Sequence, residues 1–218
     1  MIYLYAIAEE LDGLPEVPGV DGTPLARRSL EGLDLVVSEH EGREIAASEE
    51  AVLAHAHVVE GLVERSAALL PARFGRGFSD EAALREAIAG RAASLREALA
   101  QVRGCIEVGV RVLAAEPAPP PAAAESGRAY METRLARSEE TERLARELHE
   151  PLAALARAAT RTVGATPRLL LSGAYLVEPG ELDAFRSRVG ELEAAHTELT
   201  FVTTGPWPPY SFAPGGET

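Results

Sequence analysis

Apolar residues along this chain recur at two different periods, and the switches between them predict its elements. Residues 2–8 are a short apolar and aromatic run, which predicts a buried strand. Residues 9–23 carry five glycines and prolines and predict a loop. Residues 33–38 predict a second strand. Ser48 is placed to cap a helix whose first turn carries Glu49 and Glu50, the sign of charge that suits a helix N-terminus. Val52, Ala56, Val59 and Val63 are its predicted apolar stripe. A second helix opens at Ser79 or Asp80. Leu84, Ile88, Leu95, Leu99 and Val102 recur at helical spacing, and Gly104 stops it. The period then drops to two. Ile106, Val108, Val110 and Val112 share one face, with Glu107 and Arg111 on the other, the clearest strand pattern in the chain.

Residues 114–125 hold four prolines and six alanines, the composition of a linker, and predict a domain boundary. Ser126 opens a long helical stretch. Glu139 with Arg143 and Glu142 with Arg146 form i,i+4 pairs on its polar side, and Leu144, Leu148, Leu152 and Leu155 its apolar side. Pro151 is expected to kink or break it. Pro167 precedes an apolar run at 168–177, read as a buried strand. Pro179 and Gly180 open a last helix with Leu182, Phe185, Val189 and Leu192 inward, and 198–204 is the final strand.

That strand runs into Gly205-Pro206-Trp207-Pro208-Pro209-Tyr210-Ser211-Phe212. The segment holds the one tryptophan and three of the eleven aromatic residues of the chain. Proline fixes φ and removes a donor, so a stiff, extended arm of polyproline II type is predicted, offered to a partner or folded back over a sheet edge. Strands alternating with amphipathic helices predict an α+β fold of two small domains, in a split β-α-β, ferredoxin-like arrangement. The predicted division is an N-terminal α+β domain over 1–115, a linker over 116–125, and a C-terminal ferredoxin-like domain with the arm over 126–218.

Composition narrows the function. Net charge is −13, a sign that repels phosphate backbones and anionic lipid, so no nucleic-acid or membrane partner is expected. All 21 basic residues are arginine, which removes Schiff-base and phosphate-loop lysine chemistry. One cysteine, Cys105, forms no intramolecular disulfide and reads as a buried structural thiol. No N-terminal signal pattern or long apolar span is evident, which suggests a cytoplasmic protein.

Candidate chemistry is sparse. His55 and His57, two apart on a helix, point to opposite sides and do not suit a metal, which needs an i,i+4 pair. Glu60 and Glu64 read as a solvated acidic face, and His40, His149 and His196 stand alone. No nucleotide loop or nucleophile elbow is present, so no catalytic residue, metal or cofactor is assigned. Two segments point instead to protein contact: Leu69-Leu70-Pro71-Ala72-Arg73-Phe74-Gly75, with Arg73 between apolar residues, and the terminal arm. Arg73, Phe74, Trp207, Tyr210 and Phe212 are the candidate partner-binding residues, since arginine and aromatic side chains dominate interface energetics.

Six stretches occur together in one order: Tyr3-Leu4-Tyr5-Ala6-Ile7, the 69–75 segment, 104–113 with Glu107-Val108-Gly109-Val110, Ser126-Gly127-Arg128-Ala129-Tyr130, Ser172-Gly173-Ala174-Tyr175-Leu176-Val177, and 204–212. As an ordered set they resemble the gas vesicle protein F/L family across nearly the whole chain. The resemblance implies a two-domain α+β protein whose C-terminal domain is a modified ferredoxin-like fold. It implies a non-enzymatic accessory or minor structural component of gas vesicles that binds the small apolar major shell protein and other accessory proteins during assembly. A location at the gas vesicle or in the cytoplasm follows. The chain departs from the family at Arg76-Gly77, where a small or β-branched residue is usual. The alternative from the residues alone is a ligand-binding regulatory module of ferredoxin-like type, with a metal-dependent hydrolase a distant third.

Overall fold

A computed structural model describes residues 1–42, 44–115, 127–164, 166 and 168–214. By contacts the chain divides into two units, Met1–Ile106 with Trp207–Thr218, and Glu107–Pro206. The expected linker at 116–125, Ser126 and Pro167 lie outside the described residues.

The first unit runs β1 (Ile2–Glu9), β2 (Ala26–Leu30), β3 (Leu33–Glu39), α1 (Glu49–Val63), β4 (Ala68–Pro71), β5 (Gly77–Phe78), α2 (Glu81–Ala89) and α3 (Ala92–Val102). Its sheet has the order β2-β3-β1-β4, with β5 also paired to β1, and these pairings are antiparallel. Central β1 is covered on both faces, which accounts for its unbroken apolar run. Tyr3, Tyr5 and Ala8 pack with Val58, Val59 and Leu62 of α1. Leu4 and Ile7 share the other side with Ile88 and Leu95 of α2 and α3.

Three sequence expectations change here. β2 is an addition, because Ala-Arg-Arg-Ser-Leu is polar and short and carries no strand pattern of its own. It exists as the outer arm of a two-residue hairpin whose turn residues, Glu31 and Gly32, have φ of 54° and 74°, the left-handed geometry that matches strand twist. The buried face of α1 is Ala51, His55, Val58, Val59 and Leu62, while Val52 is 44% exposed, so the true stripe is rotated by about one position from the expected one. The single helix expected after Asp80 is two, broken at Gly90-Arg91, with all five anticipated apolar residues buried. Both predicted caps form: Ala51 N–H donates to Ser48 Oγ and Ala83 N–H to Asp80 Oδ1.

The second unit contains β6 (Ile106–Ala114), α4 (Gly127–Ala153), β7 (Ala158–Val163), β8 (Leu169–Val177), α5 (Leu182–Ala195) and β9 (Leu199–Trp207), apart from the terminal residues of β6 and β9. Strand order is β7-β8-β6-β9. Val108, Val110, Val112, Leu148, Leu152, Tyr175 and Phe185 build its core. Two glycines of the resemblance have steric reasons. A Cβ on Gly173 would stand 2.6 Å from the Tyr175 hydroxyl oxygen, and one on Gly109 would stand 2.6 Å from Thr204 Oγ1. α4 runs through Pro151 and stops at Ala153. Arg143 pairs with Glu140 and Glu147, and Arg146 with Glu142.

The expected boundary at 115/116 lies just after β6, a strand that the sequence leaves open to either half. Its pairing with β8 and β9 puts it in the second sheet. The arm differs as well. β9 continues through Gly205 and Pro206 to Trp207, and Tyr210–Phe212 is a turn of 3-10 helix rather than extended chain. A proline is tolerated there because β9 is an edge strand, where a missing donor leaves no ladder bond unmade.

Candidate partner-binding groove

The first unit carries a loop, Ala72 to Arg76, that is fixed by groups from β1 and α1. Ala72 N–H donates to Tyr5 O at 2.8 Å, and Leu4 N–H donates to Arg76 O at 2.9 Å. Gly75 N–H donates to the Tyr3 hydroxyl at 3.1 Å. Gly75 itself has φ of 85°, a conformation that favours glycine. On the buried side, His55 Nε2 lies 2.9 Å from Ala72 O and Nδ1 lies 2.9 Å from the Tyr3 hydroxyl. A carbonyl only accepts, so Nε2 carries the proton, and in the neutral ring Nδ1 accepts from Tyr3. Burial pushes the His55 pKa below its ordinary value, opposed by the bond to Ala72. Burial pushes the Tyr3 hydroxyl up to about 12. The Phe74 ring meets Tyr3 edge-on at 6.1 Å between centroids.

Arg76-Gly77, the departure from the family pattern, has a local use. The Arg76 guanidinium sits 5.1 Å from the Phe78 ring centre, a cation–π distance. A Cβ on Gly77 would stand 2.8 Å from Met1 Sδ.

This loop forms one wall of a groove of about 280 Å³. Leu4, Ile7, Leu70, Ile88 and Leu95 make an apolar floor, and Arg73, Arg76 and Arg91 stand among its lining residues. Tyr210, Ala213 and Pro214 line it as well, bringing the end of the chain to β4. Tyr210 also packs on the cluster around Tyr3 and Tyr5. Burial, with a smaller contribution from the Glu60 charge, pushes its hydroxyl up to about 12.

Of the candidate residues, Arg73, Phe74 and Tyr210 therefore meet in one groove. Phe212 is half-buried in the same 3-10 turn as Tyr210 but does not line the groove. Trp207 is 48% exposed at the end of β9 and does not line it either, while Pro208 and Pro209 are buried. Arg91, Leu4 and Ile7 join the groove without having stood out in the sequence. The apolar spacing places Arg91 in mid-helix, and the Gly90-Arg91 pair is the available signal of a break. Among the described residues no cluster of His, Cys, Asp or Glu could hold a metal ion. His55 is buried and His57 exposed, and Cys105 is buried.

The family model for the gas vesicle synthesis protein GvpL/GvpF matches residues 1–214. The chain belongs to this family. It is 34% identical over 215 residues to gas vesicle protein F2 of Halobacterium salinarum, covering 97% of this chain and 91% of that one. It is 26% identical over 215 residues to gas vesicle protein F of Haloferax mediterranei, covering 97% and 92%. Its fold is similar to the crystal structure of the gas vesicle protein GvpF from an Anabaena species, with a TM-score of 0.76 at 21% identity over 97% and 95% of the two chains. The corresponding figures for GvpF from Microcystis aeruginosa are 0.74, 21%, 97% and 98%. The GvpL/GvpF family comprises structural or assembly proteins, not enzymes, and its members act in gas vesicle formation. No helix among the described residues is long and apolar enough to cross a membrane.

Proposed function

We propose that this protein binds the major shell subunit of the gas vesicle and assists its assembly, together with other accessory proteins of the vesicle. The observation that carries the reading is the meeting of two distant segments, 70–76 and 210–214, on one apolar groove with arginines along it. A small apolar subunit aggregates if its surface stays exposed before it reaches the shell, and a groove of this kind covers such a surface for a time. Non-enzymatic membership of a gas vesicle synthesis family fits that role.

The ligand-binding reading is weaker. The groove, at about 280 Å³, sits at the lower edge of the roughly 300–1,000 Å³ usual for small-molecule sites. It suits side chains of a partner better than a whole metabolite.

Co-expression with the shell subunit tests the proposal. The full chain is expected to co-purify with it. Arg73→Glu, or truncation after Gly205 to remove the Tyr210 wall, is expected to reduce capture. Failure of the unaltered chain to capture the shell subunit overturns the reading.

A further inference from the structure

We infer that the groove selects an apolar segment of its partner flanked by carboxylates, with Arg76 and Arg91 as the specificity-determining cations. This rests on the groove being the docking site for the shell subunit.

The chain carries a net −13, yet no Asp or Glu lines the groove among the described residues. Ten arginines elsewhere among the described residues are matched to acids, among them Arg27 to Asp34, Arg28 to Glu39 and Arg161 to Glu142, while Arg65 and Arg96 bond backbone carbonyls. Arg76 and Arg91 make no ion pair among the described residues. Arg76 is instead held over the Phe78 ring, which fixes its direction and leaves the guanidinium charge uncompensated.

Two unmatched guanidinium groups beside an apolar floor define the ligand by complement. The floor takes one or more apolar side chains, and each guanidinium takes a carboxylate through paired N–H donors. Across the rest of an acidic surface the same carboxylates are repelled, so the groove is where an acidic-apolar segment is steered and held in register. A purely apolar segment would fill the floor and leave both cations unused. A basic one would be rejected by them.

The test uses the full chain and the shell subunit carried as a soluble fusion, with affinity measured at low and raised salt. Both arginines are exposed and only the Arg76 contact with the Phe78 ring is lost, so Arg76→Gln/Arg91→Gln and Arg76→Glu/Arg91→Glu are expected to melt within a few degrees of the unaltered protein. Loss of two exposed charge pairs, with repulsion added in the Glu variant, should weaken binding by roughly tenfold or more. Raised salt should weaken the unaltered chain and should not weaken the double Gln variant. If the unaltered chain binds and the double Glu variant binds within about twofold of it, carboxylate recognition is overturned while the docking site stands. Undiminished binding of a shell subunit with its acids changed to amides overturns carboxylate recognition in the same way. If the unaltered chain does not bind at all, the docking reading falls and this inference with it.

Discussion

Tyr3 and His55, 52 residues apart, share a hydrogen bond of 2.9 Å that joins the central strand to α1 and, through His55, to the carbonyl of Ala72. One phenol and one imidazole thus hold the groove loop at two points, the Ala72 carbonyl and the Gly75 amide. Tyr3→Phe keeps the ring packing and removes the hydroxyl. Gly75 N–H and His55 Nδ1 then lose their partner inside the fold. The expected loss is about 1–3 kcal/mol by chemical denaturation. A change below about 0.5 kcal/mol would sink the idea that this bond fixes the loop.

Stability should also fall with acid through His55. Its folded pKa lies below the ordinary 6.5, chiefly because burial disfavours the charged ring. Above about pH 6.5 neither state binds the proton. Below it the unfolded chain takes a proton that the folded chain refuses, so unfolding gains. The stability contribution is therefore complete above the unfolded pKa and drains away as pH falls toward the folded one. His149, also lowered by burial, adds in the same direction. The slope reaches at most about 1.4 kcal/mol per pH unit for each such histidine. Denaturation series between neutral pH and about pH 5 read it directly, and a flat profile would contradict it.

Gly173→Ala should destabilise the second unit. The added Cβ would stand 2.6–2.8 Å from three atoms of the Tyr175 side chain. That ring cannot simply withdraw, because its hydroxyl is 2.9 Å from His149 Nδ1 and it packs at a tilt against Phe185. The expected cost is about 1–3 kcal/mol, visible as a lowered melting temperature. An unchanged melt would mean that the ring moves aside at no cost.

The aromatic residues near the chain's end should separate by phenotype. Trp207 is nearly half exposed, so Trp207→Ala should shift stability by about 0.5 kcal/mol or less. Tyr210 is packed between the groove and the first core, so Tyr210→Ala should cost about 1–3 kcal/mol and also reduce capture of the shell subunit. Equal stability loss from both substitutions would contradict the packing described.

Much of this is readable from spacing. The period-two run at Val108, Val110 and Val112 and the helical series from Leu84 to Val102 are buried as expected, because burial of a repeating face is a local property. β7 escapes such reading because Ala-Ala-Thr-Arg-Thr-Val lacks a large apolar side; its strand character comes from pairing with β8. The α1 stripe is misplaced when His55 is counted as polar, whereas Tyr3 and Ala72 satisfy both of its nitrogens inside the core. The groove is invisible in the sequence as a groove. Arg73 and Tyr210 each stand out by residue type, but their meeting depends on where β9 delivers the chain, and no local pattern encodes that.

The return of residues 207–214 to the first unit also sets an order of events during synthesis. A ribosome that has made Met1–Ile106 has made β1 through α3, yet the groove still lacks Tyr210, Ala213 and Pro214. About a hundred further residues, enough for a second compact unit, must emerge before that wall arrives. A nascent chain that stops short of Tyr210 is thus unable to present the finished groove, which exists only after the second unit has been made.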